Sequence, residues 1–282
     1  MSFSARFFTI LLLLAGAAPA AALDFNLDKL LGTVSKLQGT TAEISESNEL
    51  LIGEGIASNL LGAAPLVNDL RLQKYVNRIG RWVALQTERP DLPWRFGVLN
   101  SDDINAFAAP GGYVFITRGL LEQIHSEAEL AGVLAHEISH VLMKHHLNAA
   151  RKSARTGIAA ELLGELLKDK AEPEVLNKAV SAGTELYARG LDKSDEFEAD
   201  RMGLVIATRA GYDPYGLPAV LQTLHSLNPQ NSALALMFKT HPSPDERLNL
   251  LEKLMGDNLD NFSTQPQIAE RFSIMTSSKQ VK

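Results

Sequence analysis

Apolar residues along the 282-residue chain change period twice. Before residue 90 they recur at helical spacing, predicting one helix from Ile44 to Leu61 and another led by Asn68 or Asp69. In the second helix Leu70, Tyr75, Val76, Ile79 and Val83 fall on one face. Beyond Pro90 and Pro93 the period drops to two, predicting strands at Trp94–Leu99, Ile104–Ala108 and Tyr113–Ile116. Ala109-Pro110-Gly111-Gly112 supplies the hairpin turn between the last two. Helical spacing returns at Ser126, which has capping-box spacing to Glu129, and is expected to run on toward Arg155. Residues 157–188 hold two amphipathic stretches separated by Pro173, and a further helix from Asp192 to Ala210 stops at Gly211. The last well-marked helix opens at Ser243-Pro244-Asp245-Glu246, where serine caps and proline takes the first helical position. The pattern predicts an α+β fold, mainly helical, with one small sheet.

Composition narrows the setting. Arg6 precedes an apolar run from Phe7 to Ala18, and Pro19-Ala20-Ala21-Ala22 follows with small residues. That reads as a signal peptide over 1–22, since the run is shorter than the roughly 20 residues that span a bilayer. Residues 23–43 form a polar lead-in, 44–256 one domain and 257–282 a C-terminal tail. With no cysteine, disulfides, thiolate metal sites and cysteine-protease chemistry are excluded. A net charge of −6 argues against a nucleic-acid partner. The basic stretch from Lys144 to Arg155, with Arg151 and Lys152, reads as a solvated helix face or a contact for an anionic membrane surface.

The chemistry centres on His136-Glu137-Ile138-Ser139-His140. Histidines four apart project from one helix face, one turn apart, so both can reach a single ion. Zinc takes imidazole nitrogens at about 2.0–2.1 Å, and a catalytic site keeps three protein ligands with a fourth position open. Glu137, about 100° around the helix, is placed to take a proton from water. His146 stands where an H-E-x-x-H-x-x-G-x-x-H pattern would put a third histidine. Met143 replaces the glycine that turns such a chain, so His146 is expected to stay on a continuing helix, pointing away. Glu196 and Asp200 are the better pair: four apart, they share a face, so one can bind the ion while the other orients a histidine. Acids in a first turn are also what the helix dipole favours in solvent, so this pair carries weight only beside the two histidines. His125, His145 and His225 read as surface or capping residues.

The H-E-I-S-H run followed by Glu196-Phe197-Glu198-Ala199-Asp200-Arg201-Met202-Gly203 resembles the M48 family of zinc metallopeptidases, closest to its soluble periplasmic BepA/LoiP-like branch. The similarity runs from about Asn48 to Leu254. It implies a zincin-type domain over 44–256 whose small sheet has an edge strand bordering the active-site helix. It implies one Zn2+ per chain on His136, His140 and Glu196, Glu137 as general base and Asp200 in support of a ligand. Asp103 to Ala108 matches the family's strand ahead of the helix, implying that Asn105, Ala106 and Phe107 pair with extended substrate. His241, ahead of Pro242, matches a family His-Pro element. It is expected to donate to an oxyanion, to cover the metal as a fourth ligand, or to be a turn histidine. Arg247, one turn into the next helix, is a second oxyanion candidate. The implied activity is hydrolysis of unfolded or misassembled polypeptides in the periplasm, with peripheral contact to membrane or outer-membrane assembly machinery. The alternative is an envelope chaperone with a latent peptidase.

Overall fold

Ser45 and Asp69 start the first two helices of the computed structural model, which describes residues 44–153, 166, 171–255, 259 and 261–277. The expected signal peptide, the lead-in and most of the stretch ahead of Pro173 lie outside those residues. Ser45 caps α1 (Glu46–Ala63), with Glu46 and Glu49 at its positive end. Asp69 caps α2 (Leu70–Ala84), accepting from the amides of Arg71 and Leu72 at 2.9 and 3.0 Å. Tyr75, Val76, Ile79 and Val83 are buried as their spacing predicts, whereas Leu70, at the first position, is exposed.

The sheet comprises β1 (Arg95–Leu99), β2 (Ala106–Ala109) and β3 (Tyr113–Thr117) in the order β1-β3-β2. β1 is parallel to β3 and β2 antiparallel to it. β2 begins two residues later than the alternation suggests. The Asn105 amide donates to the Thr117 hydroxyl at 3.1 Å, so the regular ladder stops there. Period-two alternation divides the strands between two cores. Phe96, Val98, Ala106, Ala108, Val114 and Ile116 pack with α2 and with α4 (Glu127–Leu142). Leu99, Phe107, Ala109 and Phe115 pack with α1. A short helix, α3 (Arg118–Leu121), links β3 to the approach to α4.

Ser126 accepts from the Glu129 amide at 3.2 Å and starts α4, which is buried along almost its whole length. The expected run toward Arg155 is broken. α4 ends at Leu142, Lys144 takes a left-handed backbone with φ 53°, and α5 (His145–Ser153) begins anew. Asn148 holds the break by donating its side-chain amide to the Met143 carbonyl at 3.0 Å. The chain thus turns without a glycine, and the premise that His146 points away is corrected: it lies partly buried, its ring 5.8 Å from that of His140.

Pro173 starts α6 (Pro173–Arg189), and α7 (Lys193–Arg209) follows. Gly203 lets α7 cross α4 closely, since a Cβ there would lie 2.8 Å from the His136 amide nitrogen. That contact sets Asp200, one turn earlier, against His136. The chain continues through α8 (Gly216–Ser226), α9 (Ala235–Thr240), α10 (Pro244–Met255) and α11 (Ala269–Thr276). Residues read as a tail dock on the N-terminal end of α4. Phe272 is buried, the Gln267 carbonyl accepts from the Ala128 amide at 3.1 Å, and Arg271 pairs with the buried Glu127 carboxylate. Among the described residues no helix is long and apolar enough to cross a membrane.

Candidate metal centre

One helical turn brings His136 and His140 together with their Nε2 atoms 3.1 Å apart. From α7, Glu196 places its carboxylate across from them. Oε2 is 3.7 Å from His136 Nε2, and Oε1 is 3.6 Å from His140 Nε2. His241, just after α9, brings its Nε2 to 3.6 Å from Glu196 Oε2. His136, Glu196 and His241 each offer a ligand atom within 4.8 Å of the others. Donors about 2.05 Å from a tetrahedral ion stand roughly 3.3 Å from one another, close to these separations. Glu196 Oε2 is buried without a hydrogen-bond partner among the described residues, a costly arrangement that a cation at this point would relieve.

The far side of each imidazole is held. Asp200 Oδ1 lies 2.9 Å from His136 Nδ1, and Asp200 is gripped by Arg247 through Nε at 2.8 Å and Nη2 at 2.5 Å. His140 Nδ1 meets His145 Nδ1 at 2.9 Å, and His145 Nε2 lies 3.3 Å from Glu198. His241 Nδ1 meets the Thr240 hydroxyl at 2.9 Å. With their Nδ1 atoms so engaged, all three histidines present Nε2 toward the Glu196 carboxylate, at 3.6 to 3.7 Å.

Burial dominates the electrostatics. It lowers His136 and pushes His140 and His241 well below the ordinary histidine value, which keeps the imidazoles neutral and able to bind a cation. The same burial raises Glu196 well above the carboxylate range and Glu137 to about 8, against the opposing pull of Arg247. Asp200 is buried too, but the charge and hydrogen bonds of Arg247 outweigh that and hold it far below the usual carboxylate range.

Residues 70–255 match the sequence model of Peptidase family M48. The chain belongs to this family of metallopeptidases. It is 34% identical over 219 residues to the Beta-barrel assembly-enhancing protease of Escherichia coli (strain K12), covering 74% of this chain and 45% of that one. It is 33% identical over 225 residues to the protein of the same name from Yersinia pestis, covering 78% and 46%. It is 28% identical over 216 residues to the Mitochondrial metalloendopeptidase OMA1 of Arabidopsis thaliana, covering 76% and 42%. The chain spans less than half the length of these relatives.

The fold places His136, Glu137, His140, Glu196, Asp200, His241 and Arg247 near one another. Asn105, Ala106 and Phe107 line the cavity beside Glu137, His140, Glu196 and His241. Arg247 lies behind His136, with two of its nitrogens committed to Asp200. His145 is the site residue that sequence reasoning missed. Expected to be a surface or capping residue, it is buried and stacked edge-on against His140. No signal marked it, because its position depends on the turn at Lys144.

Proposed function

We propose that this protein is a zinc-dependent endopeptidase hydrolysing unfolded or misassembled polypeptides in the cell envelope. His136, His140 and Glu196 would hold one Zn2+, and the convergence of their ligand atoms beside the buried Glu137 is the observation that carries the reading. An ion held there would supply Lewis acidity, lowering the pKa of water and polarising the scissile carbonyl. Glu137 accepts the proton of the attacking water and passes it to the leaving amine as the C–N bond breaks. Its place, buried beside His140 and Glu196 and lining the cavity, suits both tasks. Asp200, fixed by Arg247, orients His136. Asn105, Ala106 and Phe107 would run beside an extended main chain, which favours unfolded clients. The apolar run after Arg6 supports export to the periplasm, and the 34% identity to a Beta-barrel assembly-enhancing protease supports work near outer-membrane β-barrel assembly. The test is Glu137→Gln: it should keep its zinc and lose casein cleavage, and retained cleavage would sink the assignment.

His241 favours a second reading, a chaperone or assembly factor whose peptidase is latent. Its Nε2 stands to Glu196 much as the other two do, so it can occupy the fourth position and exclude water. His241→Ala should then cleave faster than wild type. Full wild-type turnover with no gain in the variant would eliminate latency and favour oxyanion donation.

A further inference from the structure

Two cavities meet at Glu137. One, about 350 Å³ with its mouth, borders His140, His146, Gly190 and Glu196. The other, about 380 Å³ with its mouth, is walled largely by α4 and α8. Asn105, Ala106, Glu137 and His241 line both, so a chain crossing Glu137 presents one group to each side.

The second cavity has an apolar floor of Leu120, Val133, Val220, Leu221, Leu224 and Met237. Its geometry follows from a close helix crossing. A Cβ on Gly132 would lie 2.7 Å from the Leu217 nitrogen, and one on Gly216 would lie 2.2 Å from the Ala128 carbonyl oxygen. Val133 adjoins that crossing and sits one helical turn before Glu137, so it joins the cavity wall to the reacting centre. Arg247 also lines the cavity, but its bonds to Asp200 at 2.8 and 2.5 Å make a neutral pair with little charge left for an acidic guest.

We propose that this cavity receives an aliphatic or aromatic side chain from a residue flanking the scissile bond, and that Val133 sets the size it accepts. The assignment rests on the peptidase reading and adds a cleavage preference to it. An apolar pocket discriminates by roughly 10–200-fold for each methylene gained or lost, enough to dominate site choice in an unfolded chain.

The test is cleavage of an unstructured peptide library, mapped by mass spectrometry, with the zinc-loaded full chain, Val133→Phe and Val133→Ala. Wild type should enrich Leu, Ile, Met or Phe at one flanking position. Val133→Phe should lower kcat/KM for those peptides at least about tenfold and shift preference to Gly and Ala. Val133→Ala should shift it the other way, toward Phe and Trp, and decides the matter if the larger residue prevents folding. An unchanged profile in the variants, acidic enrichment, or cleavage without apolar preference would overturn the pocket and leave the peptidase reading standing. Absence of cleavage by both wild type and His241→Ala would overturn the peptidase reading, and the pocket with it.

Discussion

His145 Nδ1 lies 2.9 Å from His140 Nδ1, and only one of these nitrogens can carry the proton between them. A histidine that binds a cation through Nε2 keeps its proton on Nδ1. His145 must then accept on Nδ1 and carry its own proton on Nε2, which faces Glu198 at 3.3 Å. Removing this support should weaken zinc binding by roughly 10–100-fold for His145→Ala, read by chelator competition. His145→Gln, whose amide oxygen can accept, should recover part of the loss. Unchanged affinity in the alanine variant would remove His145 from the site.

The buried acids predict how the metal-free protein responds to pH. Glu137 has an ordinary value of 4.5 and rises to about 8, and Glu196 is raised as well. A raised acid contributes stability while protonated and loses that contribution as pH climbs through its folded value. Below 6.5 the buried histidines act in the opposite sense, because their lowered values favour the fold only once free imidazoles are neutral. The chelated protein should therefore lose thermal stability between about pH 6.5 and 8, as the raised Glu137 carboxyl ionises, while zinc affinity rises with pH because the ion must displace protons from its ligands. A melting temperature that climbs through that window would contradict this account.

Lys144 bears the turn that ends α4, with φ 53°. Left-handed backbone costs an ordinary side chain about 1–2 kcal/mol, and glycine's added freedom when unfolded offsets about 0.5–1 of that. Lys144→Gly should be neutral or stabilising by up to about 1 kcal/mol in urea unfolding, and Lys144→Val destabilising by more than about 1 kcal/mol. The reverse order would place the strain elsewhere.

Gly203→Ala is expected to damage fold and site together. Its Cβ would sit 2.8 Å from the His136 amide nitrogen, where neither backbone has room to move freely. Overpacking of this kind costs about 1–3 kcal/mol. Because α7 carries Glu196 and Asp200, zinc affinity should fall as well. Loss of stability with unchanged affinity would show that the crossing does not set the ligand geometry.

Much of this centre was legible because its parts repeat at helical spacing. His136 and His140 on one helix, and Glu196 and Asp200 on another, needed only the period of 3.6 to be paired. The docking of α7 on α4 was not legible, since Gly203 reads as any small residue until its neighbour is known. The break at Lys144 escaped because a lysine in left-handed backbone has no sequence signature, and both His145 and His146 were misread in consequence. Arg271 pairs with Glu127 across a separation of 144 residues, and the Phe272 segment with it was read as a tail for the same reason. Local periodicity cannot report partners that only the packed fold brings together.

Metal content measured beside activity tests the central claim most directly. Purified wild type should carry one zinc per chain and cleave casein until a chelator removes it, while Glu196→Ala should carry far less metal and cleave nothing. Full zinc occupancy in Glu196→Ala, or casein cleavage that survives metal removal, would contradict the account.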